Sequence, residues 1–318
     1  MSTLVLGRNE VSALLAMPDV IRVVEEAFIA WKQGRASMPP KSYLVVERGD
    51  FRAMPAAVPG AAGVKWVNVH TQNPAMGLPT VMAVYILSDP DTAYPLALMD
   101  ATEITAYRTA AAAAVASRYL ARRNSRTLGI VGAGKQARYQ VLAHAELFQI
   151  AEVRAFDCSP AAVDALAAAL AGMSVRACSA EEAAASDIVC TLTPSHEPVL
   201  KHEWVKAGTH INAVGADAPG KQELDPEILK QALVVVDDIR QAGAAGEINV
   251  PVSTGLFRVE DVYADLGELI TGARPGRTGD GQITVFDSTG VAIEDVAVAR
   301  LVYDRARESG RHLTVDLV

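Results

Sequence analysis

The stretch Leu128-Gly129-Ile130-Val131-Gly132-Ala133-Gly134-Lys135-Gln136-Ala137 constrains this chain more than any other. An apolar run passes straight into a helix-forming run through glycines spaced G-x-G-x-x-A. At such a junction the first glycine, Gly132, permits a tight turn, and the second, Gly134, lets the backbone come close to a phosphate. Ala137 is small enough for the helix to lie against the strand, and the helix start offers N–H groups and positive potential. The pattern predicts a strand–turn–helix that cradles the pyrophosphate of a dinucleotide. Glycine-rich turns also arise for packing alone, so the neighbouring segments decide its meaning.

The next apolar run, 153–156, ends in Asp157. A carboxylate there is placed to accept hydrogen bonds from ribose hydroxyls. It would repel a 2′-phosphate, and no adjacent downstream Arg or Lys offsets it, so the reading is NAD rather than NADP. The competing reading makes Asp157 a cap for a helix beginning near Pro160. Apolar runs at 128–131, 153–156, 188–192, 210–214 and 234–236 alternate with helical stretches, the rhythm of a doubly wound parallel sheet. A strand near 283–286 and a closing helix over 291–307 follow.

The first 120 residues read differently. Val20, Val23, Val24, Ala27, Phe28 and Trp31 recur at helical spacing. Then come β-rich runs at 43–47, 51–54, 63–69, 81–87 and 96–99, separated by turn segments such as Arg48-Gly49-Asp50, Gln72-Asn73-Pro74 and Ser88-Asp89-Pro90-Asp91. With no helix between them, they pair as an antiparallel or mixed sheet. Thr102 is expected to cap an alanine-rich helix running to about Arg122, with Glu103 in its first turn. The fold class is α/β: a Rossmann-type doubly wound parallel sheet over 121–290, plus an α+β domain from 1–120 and 291–318.

The 318 residues suit two domains, and the net charge of −8 argues against a nucleic-acid partner. Cys158, Cys178 and Cys190 form no CxxC pair. The opening residues lack the pattern of a signal peptide. The apolar stretch at 106–120 is interrupted by Arg108 and Arg118, a poor membrane span. The expected compartment is the cytoplasm. His70, His144, His196, His202, His210 and His312 show no metal-ligand spacing with the cysteines, so no metal is expected. His210 reads as a core residue, and Cys158 as packing near the adenosine site.

Further motifs accumulate in a recognisable order. They are Met38-Pro39-Pro40-Lys41, Arg52-Ala53-Met54-Pro55, Lys65-Trp66-Val67-Asn68, Gly77-Leu78-Pro79-Thr80, Met99-Asp100-Ala101-Thr102 and Arg108-Thr109. After the glycine loop come Gly208-Thr209-His210-Ile211-Asn212, Gly215-Ala216-Asp217, Gly220-Lys221-Gln222-Glu223-Leu224-Asp225, Gly246-Glu247-Ile248 and Phe286-Asp287-Ser288-Thr289-Gly290. With these the chain resembles the ornithine cyclodeaminase/mu-crystallin family over essentially its whole length, its alanine dehydrogenase branch above all. The resemblance implies a substrate-binding and dimerisation domain (1–120 plus 291–318), an NAD-binding domain (121–290), and a homodimer formed through the N-terminal sheets. It implies Lys65 as proton donor and acceptor, Asp217 as acid/base group, and Lys41 and Arg52 on the substrate carboxylate. Arg108 would lie near substrate and cofactor phosphates together with Thr109. Gly132, Gly134, Lys135, Gln136, Asp157, Thr193, Val214, Gly215 and Ser288 would complete the cofactor contacts.

Lys41, Arg52, Lys65 and Arg108 come from separate segments, and four cations need an anion to cluster. A small carboxylate ligand would serve, oriented by charge-assisted hydrogen bonds. Arg108 aligns with Ala112, Val115 and Tyr119 on a stripe suited to burial, where a cation needs a partner. Arg52 would repel the distal ammonium of ornithine or lysine. The expected reaction is therefore reversible NAD-dependent deamination of L-alanine to pyruvate and ammonia. Alternatives are reduction of a cyclic imine such as Δ1-pyrroline-2-carboxylate, an ornithine-type cyclodeamination, and a crystallin-like protein that binds cofactor without turnover.

Overall fold

The computed structural model describes residues 2–310 and 312–317; residues 1, 311 and 318, all assigned above to the first domain, lie outside the described residues. The chain divides into two compact units, Met1–Arg108 with Val291–Val318, and Thr109–Gly290.

In the first unit, strands β1 (Thr3–Leu6), β2 (Ser42–Val46), β3 (Gly49–Val58), β4 (Ala61–Val69), β5 (Val81–Ser88) and β6 (Pro95–Asp100) form one sheet with β15 (Leu313–Val315). The order is β15-β1-β6-β5-β4-β3-β2. From β2 to β6 each strand runs antiparallel to the next, because turns of a few residues can only reverse the chain. β1 joins β6 in parallel, so the sheet is mixed. Neither β1 nor β15 was expected from the sequence; each is too short to show alternation.

Along β3–β5 side chains alternate between two faces. Arg52 and Met54 of β3, Lys65 and Val67 of β4, and Ala83, Tyr85 and Leu87 of β5 are buried. They share a face because Met54 and Tyr85 both pair with Lys65, while Val67 pairs with Arg52 and Ala83. The closing helix, Ala292–Ser309, packs on β3, β4 and β5 and against the helix Met17–Lys32. On the other face Trp66, Val84, Ile86 and Leu98 are exposed, with Phe51 stacked on Trp66 at 5.4 Å.

The alanine-rich helix spans Thr102–Leu120. Thr102 is its first residue and not its cap: Asp100 accepts the Glu103 amide at 2.9 Å, and the Thr102 hydroxyl accepts the Ala83 amide. The division between units falls inside this helix, before Thr109 and not after residue 120. Arg108 bonds to the closing helix, as Glu103 and Thr105 before it bond to Arg8 and Lys65 of the first unit. Beyond Arg108, Ser117 and the Leu120 carbonyl bond to Asn212 and Arg277 of the second unit.

That second unit holds β7 (Thr127–Val131), β8 (Glu152–Phe156), β9 (Val175–Ala177), β10 (Ile188–Thr191), β11 (His210–Ala213), β12 (Leu233–Val236), β13 (Ala264–Asp265) and β14 (Thr284–Asp287). The order is β13-β12-β14-β11-β10-β7-β8-β9, and every pairing is parallel. This is the expected doubly wound α/β sheet, with apolar clusters on its two sides. Strand order reverses between β7 and β10, so the loops leaving these two strands diverge at the sheet's switch point, where such folds bind ligands.

Candidate functional site

In the second unit β7 ends at Val131 and Gly132 turns the chain with φ 101. A Cβ at Gly132 would meet the Leu192 carbonyl and the Thr193 methyl at 3.0 Å, so both conformation and space demand glycine. Gly134 stands before the helix Lys135–Leu147, which no side chain caps; a Cβ there would meet nothing within 4 Å. Open space above an uncapped helix start is the cradle a pyrophosphate needs. Gln136 Oε1 and Ser288 Oγ are among the buried polar atoms without hydrogen-bond partners among the described residues, and both residues were singled out in the sequence as cofactor contacts. These features fit a dinucleotide.

Asp157 follows β8. Its Oδ2 accepts the Ala133 amide at 2.7 Å and its Oδ1 accepts the Ser159 amide at 2.8 Å. It therefore braces the glycine loop, and Ser159, not Asp157, is the N-cap of the helix at Pro160–Ala169. Cys158 is exposed, not packed as the sequence suggested.

The loops after β10 and β11 are tied by one carboxylate that sequence reasoning did not assign. Buried Glu223 accepts from the Thr193 amide at 2.6 Å, the Thr193 hydroxyl at 2.8 Å, the Thr191 hydroxyl at 2.7 Å and the Gly215 amide at 2.8 Å. A Cβ at Gly215 would fall 2.1 Å from the Thr193 carbonyl. Buried Val214 donates its amide to Thr191 at 3.1 Å. Behind Glu223, Glu247 accepts the amides of Glu223 and Leu224, and Asp287 accepts those of Glu247 and Ile248. Burial pushes all three carboxyls up, Asp287 to about 8. Asp217, half-buried in the loop beyond β11, pairs with Lys221 at 2.6 Å, a partner not foreseen. His210 is buried in the core as expected, beside Thr284 and Asn212, and burial lowers it to about 3.

The first unit gathers the cations. Lys65 is 1% exposed, and its Nζ donates to Asp295 Oδ1 at 2.8 Å and to Thr105 Oγ1 at 3.3 Å. Arg108 donates from Nε to that same Oδ1 at 3.0 Å and from Nη1 to Glu294 at 2.8 Å. Burial lowers Lys65 to about 7; Arg108 lowers it further in the same sense, as does Lys41, while Asp295 opposes them. Arg52, also buried, pairs with Asp50 at 2.7 Å and lies 5.4 Å from the centre of the Tyr43 ring. The Tyr85 hydroxyl and Asp295 Oδ2 are buried without hydrogen-bond partners among the described residues.

The sequence reading took an external carboxylate as the anion these cations require. The chain also supplies anions of its own, Asp50 to Arg52, Glu294 to Arg108, and Asp295 to both Lys65 and Arg108. Asp50 also softens the repulsion that Arg52 would exert on a diamino acid. The signal that could have revealed the two closing-helix acids was their position, Glu294-Asp295 between Ile293 and Val296, where charge interrupts an otherwise apolar stripe.

The model of the ornithine cyclodeaminase/mu-crystallin family matches residues 1–310. The chain belongs to this family. Among family relatives, an alanine dehydrogenase of Archaeoglobus fulgidus is 53% identical over 308 residues, covering 96% of each chain. A solved archaeal alanine dehydrogenase dimer with bound NAD is 51% identical, with a TM-score of 0.98 and full coverage of both chains. The Thermococcus litoralis Δ1-pyrroline-2-carboxylate reductase, solved with NADH and L-proline, is 37% identical with a TM-score of 0.95, covering 98% of this chain and 100% of its own.

Proposed function

We propose that the protein is an NAD-dependent oxidoreductase that interconverts L-alanine with pyruvate and ammonia through the imine. The observation that carries this reading is Lys65, a fully buried amine lowered to about 7 in a chain 53% identical to an alanine dehydrogenase. A group poised near neutrality can both take and return a proton, which ligand storage does not require.

Gly132, Gly134, Lys135, Gln136, Asp157, Thr193, Val214, Gly215 and Ser288, with Arg108 and Thr109, would hold NAD, which would supply the hydride acceptor. Lys41 and Arg52 hold the substrate carboxylate by charge-assisted hydrogen bonds. Neutral Lys65 would take a proton from the substrate ammonium, so that loss of hydride from the α-carbon to bound NAD would leave the protonated imine. Asp217 then takes a proton from the water that adds to the imine carbon, and collapse of that adduct releases ammonia and pyruvate. In reverse, the protonated imine would accept the hydride and protonated Lys65 would return its proton to the amine nitrogen. Asp157, already committed to two amides, accepts the ribose hydroxyls with its remaining lone pairs.

A homodimer accompanies this reading. Its support is the exposed apolar face of Trp66, Val84, Ile86 and Leu98, together with the dimeric state named for the archaeal structure. Among the described residues no helix is long and apolar enough to cross a membrane.

The test is spectrophotometric. Purified protein with NAD and L-alanine is expected to produce NADH, and with NADH, pyruvate and ammonia to consume it. No NADH consumption above a pyruvate-only control sinks the proposal. Faster turnover of Δ1-pyrroline-2-carboxylate would favour cyclic-imine reduction, the activity named for the Thermococcus relative.

A further inference from the structure

The cationic cluster of the first unit is organised by a side chain that none of the motifs above assigns. We propose that Asp295 is a positioning residue for the reaction: its Oδ1 binds Lys65 Nζ and Arg108 Nε together, fixing where the acid/base amine points and sustaining its charge. The proposal rests on the reading of Lys65 as the proton-transfer group.

Geometry carries the argument. One carboxylate oxygen accepts from Lys65 at 2.8 Å and from Arg108 at 3.0 Å, and Asp295 is wholly buried. Arg108 is in turn fixed by Glu294, so the closing helix holds both cations from adjacent positions. Among the described residues the second oxygen of Asp295 has no partner, and neither has the Tyr85 hydroxyl, the side chain opposite Lys65 on β5. A carboxylate installed only for fold stability would be expected to have both oxygens satisfied. Here one lone-pair set stays available beside the group that must exchange a proton.

The charges acting on Lys65 are Asp295 of the closing helix, Arg108 of the alanine-rich helix and Lys41 before β2; Glu294 holds Arg108, and Arg52 of β3 lies on the same face of the sheet. The tyrosine of β5, raised by burial and by Asp295, stays neutral. Asp295 is the anion that raises Lys65, whereas burial, Arg108 and Lys41 lower it. Removal of Asp295's charge therefore leaves Lys65 neutral to lower pH. The rising limb of alanine oxidation and the falling limb of imine reduction move together toward acid.

The direct test labels lysine Cε with 13C and follows Lys65 by NMR across pH, with Lys65→Arg identifying its resonance. Asp295→Asn is expected to lower the Lys65 midpoint by about one pH unit or more. Asp295→Glu, which keeps the charge, is expected to restore most of it. An unmoved midpoint in folded Asp295→Asn overturns the proposal, as does a Glu variant that behaves like Asn. Should Asp295→Asn not fold, the unaltered protein decides: the 13C-labelled Asp295 carboxyl must show a step at the Lys65 midpoint, and its absence overturns the assignment. None of these measurements needs turnover, so a failed alanine assay and a failed titration are separate results. Where turnover is present, the pH profile of kcat/KM must shift with the NMR midpoint; a loss of rate at an unchanged midpoint marks Asp295 as merely structural.

Discussion

Lys65 sits where an ammonium is costly, and three kinds of neighbour decide its protonation: dry surroundings, other cations and one carboxylate. Taken with the direction of each effect, the sign of pH dependence follows. Amino-acid oxidation needs the neutral amine, so its rate is expected to rise through about pH 7; imine reduction needs the charged amine and is expected to fall there. Initial rates in the two directions across pH 5.5–9, an interval of about 1.5 units or more on either side of that value, check this. Lys65→Ala and Asp217→Asn are expected to cut kcat by about 100-fold or more while NAD affinity stays nearly unchanged. Loss of cofactor affinity as the main effect would refute their roles. Gly132→Ala tests the opposite case. With φ at 101 and contacts at 3.0 Å, the added methyl is expected to cost roughly 1–3 kcal/mol and to weaken NAD binding. Melting temperature and isothermal titration report the two effects. At this scale much was legible. Glycine spacing identified the strand–turn–helix because only glycine tolerates the conformation at Gly132, and Arg108 on an alanine stripe announced a buried cation. Asp295 stayed hidden because ion pairing across long sequence separations leaves no local pattern.

Helices and strands carry the next set of consequences. Periodicity found the parallel strands and the antiparallel meander, since burial of one or both faces imposes a rhythm on the sequence. It missed β1, β9, β13 and β15, whose few residues cannot display one, and it mistook Thr102 for a cap that Asp100 provides. Glu223 was quoted as part of a motif yet left without a role, because its task is to join two loops through their amides. A glutamine there presents an N–H where Gly215 or Thr193 already donates. Glu223→Gln is expected to raise the KM for NAD about 10-fold or more, with kcat changed less, through an unsatisfied amide worth about 1–3 kcal/mol. An unchanged KM would mean the loops hold without it. On the first sheet, the apolar face around Trp66 and Ile86 predicts association. Trp66→Glu with Ile86→Asp is expected to yield monomers in sedimentation velocity, and a persistent dimer would place the contact elsewhere.

For the molecule as a whole, buried ionisable groups link stability to pH. Asp287 rises from an ordinary 3.8 to about 8 on folding, so the folded chain binds more protons than the unfolded one between those values. Its contribution is complete below the unfolded value and is lost as pH climbs toward about 8. Asp287→Asn removes that dependence. The variant's melting temperature relative to the parent is expected to improve steadily from pH 4 to about 8 and then level off. A flat difference would show that Asp287 remains ionised throughout. The closing helix bears on how the chain is made. Lys65 and Asp295 lie 230 residues apart, with the entire dinucleotide-binding unit between them. On the ribosome the sheet thus emerges with Lys65, and the alanine-rich helix with Arg108, before Glu294 and Asp295, their counter-charges, are synthesised. Secluding these two cations must wait for the closing helix, so the sheet reaches its native state only after the second unit has been translated.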